Sequence, residues 1–125
     1  MGLDMYLVKE KEDGKLDYTN ELAYWRKANH IHSWFVKNVQ NNTDECIAHQ
    51  VSEEQLEELL RVCKEVLKDH SKADELLPTQ NGFFFGSTQY DEYYFGAIEE
   101  TIETIGGILD NFDFKNEKLY YDSSW

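Results

Sequence analysis

The chain has 125 residues, 41% of them hydrophobic and 14% aromatic, with a formal net charge of -13 at pH 7. That length fits one domain able to bury a core without disulfides or a structural metal, and the aromatic content excludes a disordered chain. The acidic balance disfavours direct nucleic-acid binding and anionic membranes, because both are polyanions.

In chain order, residues 3–9 alternate Leu3, Met5 and Leu7 against Asp4, Tyr6 and Val8, which is strand periodicity. Residues 12–15, EDGK, carry a hairpin-type turn signal, and a short second strand through Leu16 and Tyr18 is expected to follow. Residues 20–40 predict a helix. Tyr24, Trp25, Ala28, Ile31, Phe35, Val36 and Val39 share its broad apolar face, and Arg26, His30, Ser33 and Lys37 form a narrow stripe opposite. Residues 40–50 read as a loop with an edge strand around Ile47. The strongest helix signal is at 52–69, where Ser52 with Gln55 makes a capping box and Val51 with Leu56 a hydrophobic staple. Leu56, Leu59, Leu60, Cys63, Val66 and Leu67 follow on one face. ADELLP (73–78) predicts one further turn, stopped by Pro78.

NGFFFGST (81–88) predicts a short buried strand between two glycines. Thr88 and Asp91 are spaced like a helix start, and Tyr94, Ile98, Ile102, Ile105, Leu109 and Phe112 continue on one face. Gly106 and Gly107 cost about 1 kcal/mol each within that helix, so they mark a kink or a close approach by another backbone. KLYYDSSW (118–125) predicts a C-terminal strand. The order gives a single α+β domain over 1–125: a small, mainly antiparallel sheet covered by about three helices.

Residues 21–40 stand out electrostatically. Arg26, Lys27 and Lys37 outweigh Glu21, which leaves +2 there and -15 over the rest of the chain. Arginine offers a planar fork of donors suited to carboxylate or phosphate, and a neighbouring histidine donates or shuttles a proton. The bland alternative is a basic stripe that meets acidic faces of neighbouring helices. His30 and His32 resemble a metal pair, but two residues apart on a helix they point to opposite sides. His32 is therefore expected in the core and hydrogen-bonded, and His30 accessible beside Arg26. A second stretch, FFFGSTQYDEYY (83–94), offers Ser87 and Thr88 at a helix start, where free N–H groups can hold an anion, or where Thr88 simply caps the helix. Tyr90 and Tyr94 supply rings for stacking.

No catalytic or metal motif is present. Cys46 and His49 lie three residues apart in a polar loop, a weak arrangement for a nucleophile and base. With no CxxC spacing, Cys46 and Cys63 fit a reducing compartment. No stretch approaches a membrane span, and MGLDMYLVKE lacks the regions of a signal peptide, so a cytoplasmic location is expected. No cofactor is implied.

The blocks MGLDMYL, ELAYWRKANHIHSWF, FFFGSTQYDEYY and LYYDSSW together resemble a group of small uncharacterised bacteriophage and prophage proteins. That resemblance implies a bacterial host cytoplasm and, by analogy with small phage proteins, interference with host signalling or defence. It identifies no residue. The residues themselves point first to a non-enzymatic binding protein for an anionic, phosphorylated or nucleotide-like small molecule, held by Arg26, His30, Lys37, Ser87, Thr88, Tyr90 and Tyr94. The rival is an acidic protein-interaction inhibitor or nucleic-acid mimic that engages a host protein, and a small hydrolase ranks third.

Overall fold

Strand β1 (Asp4–Lys9) buries Met5 and Leu7 on one side, as its alternation requires, and turns Asp4 and Tyr6 to the other. The computed structural model describes residues 2–82 and 86–125. After β1 come β2 (Ala23–Arg26), α1 (Asn29–Asn38), β3 (His49–Val51) and α2 (Glu53–Lys68). A 3-10 turn at His70–Lys72 leads into α3 (Ala73–Leu76), then α4 (Glu92–Asn111) and β4 (Leu119–Ser124). The strands form one antiparallel sheet in the order β2-β1-β4-β3. The protein is thus a small α+β domain, as the sequence predicts.

Three boundaries differ from the sequence reading. The helix expected over 20–40 divides: residues 23–26 pair with β1 and the helix begins at Asn29. AYWR alternates buried Ala23 and Trp25 with exposed Tyr24 and Arg26, a period of two. Lys27 then turns the chain through a left-handed conformation (φ 56°), rare for a residue with a Cβ. Leu16 makes only an isolated bridge to Glu10, so the second strand is 23–26 and not 16–18. The edge strand lies at 49–51, two residues past Ile47, which is exposed. The strand expected across 81–88 centres on 83–85, outside the described residues.

Helix α2 starts as its sequence requires. The Gln55 N–H donates to Ser52 Oγ at 3.1 Å, and the Ser52 N–H donates to Gln55 Oε1 at 2.9 Å. Leu56, Leu59, Val62, Cys63 and Val66 are buried, whereas Leu60 and Leu67 pack only at the core's margin. Asp91 caps α4, accepting from the Tyr94 N–H at 3.1 Å.

The inward sheet face carries Met5, Leu7, Trp25, Leu119 and Tyr121, all buried. Helix α1 lies on it: Phe35 stacks on Tyr121 with ring centres 3.9 Å apart, and Trp25 packs near Phe35 at 5.9 Å. Helix α4 is tied to β2 by the Trp25 indole N–H, which donates to Thr101 Oγ1 at 2.8 Å. The outward face carries a different set of side chains, and they form the candidate surface.

Candidate interaction surface

Because side chains alternate along strands, the register fixes what shares the outward face. Asp4 lies between Arg26 and Ser124, Tyr6 between Tyr24 and Asp122, and Tyr120 between Val8 and Gln50. The segment after β1 adds Tyr18. The Tyr6 ring meets Tyr24 at 5.5 Å and Tyr18, edge-on, at 6.3 Å. Tyr18 and Tyr24 are each 48% exposed, so these rings cluster at the surface instead of forming core.

Carboxylates fix the rings. The Tyr18 hydroxyl donates to Asp122 Oδ2 at 2.7 Å, and the Tyr24 hydroxyl donates to Asp4 Oδ1 at 2.5 Å. Partial burial and the bond to Asp122 push the Tyr18 phenol up to about 12. The bond to Asp4 does the same for Tyr24. Both phenols therefore stay protonated donors at neutral pH. Burial, then Asp4, Glu21 and Asp122, raise Tyr6 as well, so three carboxylates bear on one aromatic cluster.

The residues singled out from sequence do not form one basic stripe. Arg26 sits on the outward side of β2, exposed and without an ion pair among the described residues. His30 is 3% exposed, which corrects its expected accessibility. Its Nε2 lies 3.1 Å from the Tyr94 carbonyl, and its ring stacks on Tyr94 at 4.1 Å. Burial pulls its pKa down to about 4, so it is neutral at pH 7. Tyr94 is buried and its hydroxyl donates to the Leu77 carbonyl at 2.7 Å, leaving no face for a ligand ring. The physical reason is a single change of conformation at Lys27: Arg26 follows a strand, so its direction is not tied to that of His30.

Ser87 and Thr88 are exposed. Ser87 Oγ accepts from the Gln89 N–H, and the Ser87 carbonyl accepts from Asn29 Nδ2 at 2.8 Å. The Thr88 carbonyl accepts from Thr79 Oγ1, while the cap of α4 is Asp91 and not Thr88. The Tyr90 hydroxyl donates to Asp74 at 3.0 Å, and its ring packs edge-on to Tyr94 at 4.9 Å. The fold therefore brings Ser87, Tyr90 and Tyr94 towards the start of α1. Lys37 lies in the last turn of α1 and lines a depression of about 190 Å³ together with His30 and Ser33, so these three of the expected stripe do share one side of the helix.

His32 is buried, as the helix phase predicts, with Nδ1 2.6 Å from the Tyr121 hydroxyl and Nε2 2.9 Å from Asp44. The two histidines of HxH thus serve different neighbours. Among the described residues no group of three His, Cys, Asp or Glu could hold a metal. Cys46 is exposed and Cys63 buried, both free, and His49 Nδ1 lies 3.0 Å from the Ile47 carbonyl. Among the described residues no helix is long and apolar enough to cross a membrane.

The sequence displays Asp4 and Tyr6 on the polar side of β1, but the cluster needs Tyr24 beside them. That neighbour is hidden when 23–26 is read as helix. No family model, curated protein or solved structure matches this chain.

Proposed function

We propose that the protein acts by binding, without catalysis, and that the outward sheet face docks a positively charged segment of a protein partner. One observation carries this reading: a tyrosine cluster, Tyr6 with Tyr18 and Tyr24, stands exposed on the sheet between Asp4 and Asp122. Tyrosine is enriched at energetic centres of interfaces because it buries a large rigid area and keeps a hydroxyl for pairing. Carboxylates around it, on a chain of net charge -13, favour a basic partner and repel acidic ones. In the phage setting that the sequence blocks imply, the partner would be a host protein whose surface becomes occupied.

Site-specific photo-crosslinking tests this. A crosslinker at Tyr24 or Tyr120 should trap one partner in the source cells, and a crosslinker at Glu57, exposed on α2, should not. Trapping that is equal at all three positions, or absent at the sheet positions, rejects the sheet face.

A second reading keeps the anionic small molecule. Lys37 has no ion pair among the described residues, and with Ser33 and Pro78 it borders two adjoining depressions of about 190 and 410 Å³. Thr79 and Gln80 complete the larger one. A nucleotide and sugar-phosphate panel should raise the melting temperature by mass action if this holds, and Lys37→Ala should remove the effect. No shift across the panel rejects it.

A further inference from the structure

Beside the edge strand β2 runs a groove of about 420 Å³, walled on the other side by the first half of α4. Its volume lies in the range of sites that enclose small groups, roughly 300–1,000 Å³. Two tyrosines line it, Tyr24 from the strand and Tyr93 from the helix. Both are held by their hydroxyls, Tyr24 on Asp4 and Tyr93 on the carbonyl of Arg26. With the hydroxyls engaged, the rings are the part left to meet a guest. Gly96 lies on the helix side, where a Cβ would meet no other group within 4 Å. The missing side chain therefore contributes open space and serves no packing among the described residues.

The charge of this groove has one sign in excess. Among the described residues, Glu92 and Glu100 line it against a single cation, Arg26. Burial first and then Glu100 raise the Tyr93 phenol, and Arg26 opposes them. Rings attract cations through their negative faces, and carboxylates pair with guanidinium in a directional, charge-assisted way. A guest that satisfies both has an apolar stem and a cationic head. We infer that this groove takes one arginine side chain of the partner, its stem beside Gly96 and the tyrosine rings, its guanidinium at the Glu100 carboxylate. The inference rests on the docking role of the sheet face, with which the groove shares Tyr24 and Arg26.

The test uses the full chain, labelled with 15N, titrated with acetyl-Gly-Arg-Gly-amide. The same peptide carrying citrulline, which is neutral and nearly isosteric, is the control. Saturable shifts are expected at 24–28 and 92–100, with citrulline at least tenfold weaker. Glu100→Gln should weaken the arginine peptide several-fold. Gly96→Leu should abolish binding by filling the groove, and its own spectrum reports whether the fold is retained. Should Gly96→Leu fail to fold, Gly96→Ala adds one methyl at a site with room for it and should weaken binding at least threefold. Equal binding of arginine and citrulline peptides overturns the inference. So do shifts that follow the α2 carboxylates as strongly as the groove, or binding that survives in Gly96→Leu. A partner trapped at Tyr24 without arginine-peptide binding overturns the groove and leaves the sheet-face reading. Arginine-peptide binding with no partner at the sheet face does the reverse.

Discussion

The Tyr121 hydroxyl and His32 Nδ1 stand 2.6 Å apart inside the core, with Asp44 2.9 Å from the other ring nitrogen. One tautomer satisfies all three groups. Tyr121, kept protonated by complete burial, donates to Nδ1, and Nε2–H donates to Asp44. The Trp125 indole N–H adds a bond to the same carboxylate oxygen at 3.2 Å. His32→Leu removes the acceptor for a buried hydroxyl and should cost about 1–3 kcal/mol, measured by urea titration. In the Tyr121→Phe background the same change should cost less, because the stranded hydroxyl is gone. Equal costs in the two backgrounds would show that the pair is not coupled.

The buried histidines give stability a pH dependence of definite sign. His30 falls from 6.5 in the unfolded chain to about 4 in the fold because burial disfavours its cation. Between those values the unfolded chain binds more protons, so stability falls as pH falls. The full contribution is present above pH 6.5 and is lost on the way to about pH 4, an effect on the order of 3 kcal/mol. Burial lowers His32 in the same direction. Denaturant midpoints at pH 7.5 and 4.5 should therefore separate, and His30→Gln should narrow the gap. An unchanged gap in that variant would locate the dependence elsewhere.

In α2 the two adjacent leucines should respond differently. Leu59 is fully buried and Leu60 only partly so. Leu59→Ala should cost about 2–5 kcal/mol, and Leu60→Ala less than half of that. Chemical denaturation decides between them, and a larger cost at Leu60 would mean the helix is rotated from the orientation described.

Gly106 and Gly107 lie inside α4, and a Cβ at either meets nothing within 4 Å. Among the described residues no other element's backbone comes that close, so neither glycine is required by packing against them. Gly106→Ala should stabilise the fold by about 0.5–1 kcal/mol through helix propensity, seen as a higher thermal midpoint. A loss of stability would mean that the helix needs the freedom of glycine at that point.

The capping assignment is also open to test. Asp91→Ala should cost about 1 kcal/mol by freeing the Tyr94 N–H, while Thr88→Ala, whose hydroxyl does not cap α4, should cost less than about 0.5 kcal/mol. The reverse order would restore the cap that the Thr-x-x-Asp spacing suggests.

What the sequence made legible was local. Ser52 and Gln55 meet within one turn, so their spacing alone specifies the cap of α2. His32 falls in the apolar arc near Val36, which its burial bears out, but the same helix phase puts His30 on the open side, and it is buried too. The junction before α1 was hidden because Trp25, Ala28, Ile31 and Phe35 keep three- and four-residue intervals straight through it. Lys27, a residue with no turn preference, takes the left-handed conformation there, so no glycine or proline marks the break. Read as helix, AYWR places Arg26 beside His30, and the single stripe joining Arg26 to His30 and Lys37 follows from that reading. The tyrosine cluster was illegible for a related reason: Tyr6 and Tyr24 are neighbours only across a strand pair.

The central position of β4, between β1 and β3, sets the timing of assembly during synthesis. Lys9 and Glu117 meet across 108 positions, and β1 has β4 as its longest partner in the sheet. Until residues 119–124 leave the ribosome, β1 has one unpaired flank and β3 has no strand to join. The emerging chain thus presents open strand edges, which recruit other chains. The large sequence separation makes closure slow compared with the helices. A nascent chain stalled before residue 119 should accordingly be a client of cellular holdases, and release of the last strand should free it.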